Sequence, residues 1–203
     1  MITLSIFSTI VHWAAIRLAR IPVTTVTIFY GSPVAKFVLL GTTVQIGYIP
    51  IGTGVGFDVP SFDRKFLPVR LAVILSAPIA LLILAGLFLG FAPAVQQFMS
   101  GFAQLTSGAL HPRTTALNFI ERLHAVSSHS VPAACGVVAA KLTVCSLFSV
   151  AALAAGSCFK QLFSISDEHG AISLLHAAGF VTVTLLTILW TIALLRYGLS
   201  GNA

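Results

Sequence analysis

The sequence predicts an α-helical integral membrane protein with about four transmembrane helices and a membrane-associated β-hairpin sheet between the first and second. Three observations carry this reading. Hydrophobic residues make up 57% of the 203 residues and charged residues only 8%, against about 25% charged in soluble domains. Residues 71–112 contain no Lys, Arg, Asp or Glu, a run well beyond the ~20 residues that cross a bilayer as a helix. Between the first two apolar runs, residues 22–57 are rich in Val, Ile, Thr, Phe and Tyr, the residues that favour strands. So apolar a composition excludes intrinsic disorder. The formal charge of +6 comes from cations scattered among apolar runs, which form no basic face for nucleic acid.

The whole chain, 1–203, reads as one membrane domain. The first expected span, 2–19, carries His12 and Arg17. It differs from a signal peptide because no positive residue precedes it, while Arg17 and Arg20 fall at its end. The β-hairpin region covers 22–57. Gly31-Ser32-Pro33 breaks its first strand run, Gly41 and Gly47 punctuate the second, and Pro50 argues for an edge position. The second span is 71–95, followed by an outer connection, 96–130. Within that connection, 116–125 has the apolar spacing of an amphipathic helix lying on the membrane surface. The third span, 131–159, is interrupted by Lys141, and the fourth, 171–195, is closed by Arg196. Arg17, Arg20, Lys36, Arg64, Lys65 and Arg70 all precede the second span, whereas the outer connection holds only Arg113 and Arg122. The positive-inside rule then puts the hairpin in the cytoplasm and both termini outside, in an inner membrane of bacterial type.

Two ionisable groups inside expected spans draw attention, because such groups are costly in a bilayer. His12 is expected to be a neutral imidazole bonded to a neighbouring helix or facing the interface, and otherwise to meet a partner. Lys141 is expected to reach the interface along its flexible stem, and otherwise to pair with an acidic group of a partner helix. Cys135, Cys145 and Cys158 lack the spacing of a zinc or disulfide framework and read as inert thiols. Gly52-Thr53-Gly54-Val55-Gly56 lacks the strand-to-helix context of a phosphate loop. Asp167-Glu168-His169 reads as a solvated turn.

The order of short motifs resembles the site-2 protease family of zinc intramembrane proteases. Leu18-Ala19-Arg20 is followed by Val26 to Gly31 (VTIFYG) and Pro33, then by Gly41-Thr42 and by Tyr48 to Gly52 (YIPIG). Ser76-Ala77-Pro78-Ile79-Ala80 on the second span resembles the family's A-G-P-x-A. The resemblance covers roughly residues 8–90 by motif, and 131–198 by position and topology.

The resemblance implies H-E-x-x-H on the first helix and an acidic third ligand on a later one. Where the first motif should stand, the chain reads Val11-His12-Trp13-Ala14-Ala15. No Asp or Glu occurs between Arg122 and Ser166, and no two of the six His are four residues apart. Catalytic zinc requires three protein ligands, so neither a metal nor another cofactor is expected. The expectation is a proteolytically inactive relative that binds a partner membrane protein or transmembrane segment. It would act as an assembly, regulatory or protective subunit through Tyr48, Ile49, Pro50, Ile51, Gly52, His12 and Lys141. An active zinc protease with displaced ligands and a small channel or transporter component are the alternatives.

Overall fold

A computed structural model of the chain describes residues 2–163, 181, 185, 188–193 and 195–198. The element order is α1 (Ile2–Leu18), β1 (Val23–Leu39), β2 (Thr42–Phe57), α2 (Val59–Asp63), α3 (Leu67–Leu89), α4 (Phe91–Leu110), a π-helical turn (Pro112–Ala116), α5 (Leu117–His129) and α6 (Val131–Phe163). The described residues are mostly helical, with one small sheet. They fall into two compact units: Met1–Ala80 with Ser157–Ser164, and Leu81–Gly156 with Ile165–Ala203.

In the first unit, α1 ends in a motif that explains the Ala19-Arg20 pair. The Arg20 amide donates to Arg17 O at 2.9 Å and the Ile21 amide to Ile16 O at 3.1 Å. This double closure requires a left-handed residue after the helix, and Arg20 supplies it with φ 55°. Ile16 and Ile21 are both buried, which is the hydrophobic contact that accompanies the motif. A non-glycine residue in that conformation costs roughly 1 kcal/mol. Arg20→Gly is therefore expected to stabilise the protein by about that amount, read as a higher melting temperature in detergent; an unchanged or lower value would remove this account of the helix end.

The two strands form a folded sheet, because each bends at a positive-φ glycine, Gly31 (φ 99°) or Gly52 (φ 76°). Their overall pairing is antiparallel. Residues 53–57 run antiparallel beside 23–28, and 42–47 run antiparallel beside 33–39. In between, residues 25–28 match 43–46 with both numbers rising together, a parallel pairing. The segments thus lie side by side in the order 33–39, 42–47, 25–28, 53–57. The paired Val26 and Val44 are the buried centre. Leu39 pairs with Thr42 across a two-residue turn, Leu40-Gly41, in which both residues have positive φ (49° and 76°). That conformation matches the twist of the flanking strands.

At the exit from the sheet, Asp58 caps α2 by accepting the Ser61 amide at 3.0 Å. The Ser61 hydroxyl, and after it the Ser61 amide, hold the Asp58 carboxyl below its usual range, with Arg64 adding to the effect. Arg70 pairs with Asp63 at 3.1 Å.

The apolar run expected as the span 71–95 folds as α3, from Leu67 to Leu89. Val73, Ile74, Leu81 and Ala85 are buried along it, while Leu71, Ile79, Ile83 and Leu87 are exposed. A helix apolar on its exposed side suits a bilayer better than water. Among the described residues this is the one helix long and apolar enough to cross a membrane; Ile2–Leu18 and Val131–Leu147 are shorter apolar helices. Four transmembrane helices are thus not established by these elements. The expected fourth span, 171–195, lies largely outside the described residues, as does the turn at 167–169.

Gly90 (φ 85°) ends α3, its amide donating to Gly86 O at 2.8 Å. The uncharged run of 71–112 is consequently divided between two helices. The expected outer connection, 96–130, therefore begins inside α4 and is helical over most of its length. The amphipathic helix expected over 116–125 is α5, from Leu117 to His129. Its apolar face is covered by protein rather than left for the membrane surface: Ala116, Ile120 and Ala193 form a buried cluster flanked by Trp190 and Tyr197. Trp190 also stacks edge-on against Phe119 at 5.8 Å and donates to Leu105 O at 3.1 Å.

Candidate functional site

The first unit assembles most of the residues singled out from the sequence. On α1, Thr9, Trp13 and Arg17 recur at four-residue spacing and so share one face. That face meets the sheet. Thr9 Oγ1 donates to Thr53 Oγ1 at 2.6 Å, and Trp13 Nε1 donates to Thr42 Oγ1 at 3.4 Å. Arg17 donates to Leu40 O at 2.5 Å and lies over the Trp13 ring at 5.6 Å. Arg17 therefore secures the turn that sets the hairpin register. The sequence reading counted Arg17 only as a charge, although the spacing of Thr9, Trp13 and Arg17 marked a face.

His12 lies on a different side of α1. Its Nδ1 donates to Val73 O on α3 at 3.1 Å, with Ser76 Oγ 3.4 Å away. Ser76 in turn donates to Val73 O at 2.7 Å. His12 is half-buried, and this geometry matches the expected imidazole bonded to a neighbouring helix.

Tyr48, Ile49, Pro50, Ile51 and Gly52 are consecutive in β2. Ile49 pairs with Tyr30 of β1. Two tyrosines bracket the bends: a Cβ on Gly31 would sit 2.5 Å from the Tyr48 ring, and a Cβ on Gly52 would run into the Tyr30 ring. Glycine at both bends is thus favoured by the positive φ, and any other residue would also have to turn a tyrosine ring aside. Tyr30 and Tyr48 nevertheless keep more than half of their surface exposed, at 52% and 63%.

The segment 33–39 is the distinctive surface. It pairs with 42–47 on one side and has no strand partner on its other side among the described residues. Side chains of a strand alternate between faces, yet Val34 and Val38 on one face and Phe37 and Leu39 on the other are all exposed. Soluble proteins protect such an edge with charge, proline or a covering element. Here Lys36 is the single charge along it.

Lys141 belongs to the second unit and is described there alone. It lies inside α6 rather than before it and is buried at 6% exposure. Its Nζ donates to Gln97 O at 2.6 Å and to Ser100 Oγ at 2.8 Å. The expected outlet to the membrane interface is therefore replaced by an internal one. The close approach that permits this is made by Gly101, where a Cβ would lie 2.8 Å from Val144 Cγ2 and 3.2 Å from Lys141 Cδ.

Among the described residues, no three His, Cys, Asp or Glu side chains gather where they would hold a metal ion. The chemistry on offer in the first unit is hydrogen bonding along an open strand and apolar contact on both of its faces. Compared with known proteins, the chain matches no family model and shows no significant match to a curated protein.

Proposed function

We propose that this chain is a proteolytically inactive relative of the site-2 proteases that holds a segment of a partner membrane protein, as an assembly, regulatory or protective subunit. The observation that carries the reading is the open edge 33–39, apolar on both faces, in a sheet whose neighbouring residues Leu40, Thr42 and Thr53 are held by the apolar helix α1. An extended peptide adding to that edge would gain main-chain hydrogen bonds, and the alternating pockets beside them would choose its side chains. The sheet's setting between α1 and α3 follows the motif order of the resemblance, and the missing H-E-x-x-H removes the metal-bound water that cleavage needs. In this reading the hairpin faces the cytoplasm and α1, α3, α6 and the fourth apolar run are the spans.

The test places a photo-crosslinking residue at position 34 or 38 in native membranes, with a matched probe at the exposed Asp63. The expected result is a discrete protein adduct from the edge positions and none from position 63. Val34→Lys with Val38→Lys is expected to reduce that adduct by about tenfold or more, since each buried valine is worth about 1.5 kcal/mol. Both side chains are exposed in the chain alone, so the double variant should fold normally. Adducts equal at all three positions, or lipid adducts alone, would count against the reading. So would zinc-dependent cleavage of a membrane substrate.

A further inference from the structure

The two faces of the open edge differ. Residues 35–39 pair with 42–46 in unbroken antiparallel register, Phe37 opposite Val44 and Leu39 opposite Thr42. Thr42 and Val44 are buried, and Thr42 Oγ1 accepts from Trp13 of α1. Opposed residues of such a pair share a face, so Phe37 and Leu39 lie on the face that meets α1. Val34, Lys36 and Val38 alternate to the other face. There Val34 and Val38 are 73% and 71% exposed, against 47% and 48% for Phe37 and Leu39.

The main chain singles out the same residues. The two-residue turn Leu40-Gly41 makes Leu39 and Thr42 the hydrogen-bonded pair that closes the hairpin. Antiparallel ladders alternate bonded with unbonded pairs. Phe37 is therefore bonded inward to Val44, while Lys36 and Val38 turn their amide and carbonyl groups to the open side. Lys36 is central in both respects: its main chain can accept a strand, and its side chain stands on the uncovered face between two valines.

Nothing described in the first unit neutralises this lysine. The described acids there are Asp58, which caps α2 through Ser61, and Asp63, which pairs with Arg70. Lys36 is exposed and makes no ion pair among the described residues. A second copy of the chain is a poor occupant of the edge. Full antiparallel overlap of two 33–39 segments would set Lys36 against Lys36, and like charges opposed across strands repel. Lysine on an edge commonly guards against such self-pairing. A strand with an acid at that place is attracted instead.

We infer that the edge selects an extended peptide segment in which a Glu or Asp is flanked, two residues away on each side, by an apolar residue, and that Lys36 reads the acid. The flanking residues lie beside Val34 and Val38. The pattern is the same in both directions, so it holds for a parallel or an antiparallel added strand. The inference rests on the strand-adding edge proposed above and specifies its occupant.

The test measures fluorescence polarisation of labelled, end-capped peptides on the full chain in detergent. Their central sequence is Val-Thr-Glu-Thr-Val, with Gln or Lys replacing Glu in two controls. The Glu peptide is expected to bind about threefold tighter than the Gln peptide, and the Lys peptide more weakly than either. The preference should shrink in 0.5 M salt. Lys36→Glu is expected to invert the order, with the Lys peptide now the tightest, a result that misfolding cannot produce. Equal binding of all three peptides to the wild type, each lost in the variant Val34→Lys with Val38→Lys, overturns the role of Lys36 and leaves the strand-adding edge standing. Binding of none of them, or binding unaffected by that double variant, overturns the edge and this inference with it.

Discussion

Gly47→Ala is expected to destabilise the first unit by about 3 kcal/mol and to release the hairpin to protease. Gly47 is buried, and its α-carbon packs against the backbone of the neighbouring segment. A Cβ there would meet the carbonyl oxygens of Phe29 (at 2.6 Å) and Tyr30. These are main-chain atoms within the sheet, so no rotamer change can relieve the contact, and the strand must separate or slip. A slip by one residue would exchange the faces of every side chain from 42 onward. Gly41→Ala is the matched control. It has open space around it and a positive φ of 76°, so only the conformational cost of about 1 kcal/mol applies. Thermal unfolding in detergent and limited proteolysis across 31–41 measure both variants. Equal effects of the two would mean that the close crossing at Gly47 does not hold the sheet together.

Lys141→Glu is expected to cost about 3 kcal/mol or more. The substitution places a carboxylate against the Gln97 carbonyl oxygen that now accepts from the ammonium. It does so in a position with 6% exposure, where water cannot compensate. Lys141→Met keeps the length of the side chain and removes the charge. It should cost only about 1–2 kcal/mol, because Ser100 Oγ still donates to Gln97 O at 3.1 Å. The order wild type, Met, Glu in melting temperature checks this arrangement. A Met variant as unstable as the Glu variant would show that packing beside Gly101, rather than the ammonium, sets the stability.

The sequence located these features unequally. The Ala19-Arg20 pair marked the end of α1, because a left-handed residue after an apolar helix is a local matter. The strand-forming stretch 22–57 was equally legible from its β-branched and aromatic residues, and Gly31 marked the bend of the first strand; the bend of the second falls at Gly52, not at the Gly41 and Gly47 that punctuate its sequence. The end of α3 was not. Gly90 lies within forty uncharged residues, and hydropathy alone ran the helix on to residue 95, past the glycine that stops it. For Lys141, the sequence showed a charge in an apolar run, which interface and interior can both accommodate. The deciding partners, Gln97 and Ser100, lie more than forty residues away on α4.

What the sequence determined by itself is the class of the protein: too apolar and too poor in charge for an ordinary soluble fold, with a strand-rich insert before its most apolar helix. It also determined which residue types are missing, since no arrangement of the backbone can supply an H-E-x-x-H that is not encoded. The tertiary structure decided which groups are available. Residues 25–28 pair at once with 43–46 and 53–56, so the open edge falls at 33–39, a choice that alternation along the strands does not contain. In the same way, His12 is committed to Val73 and Lys141 to Gln97. Periodicity along a chain reports which face of an element is apolar. Which atoms meet that face depends on contacts between residues far apart in sequence, and those exist only once the chain has folded.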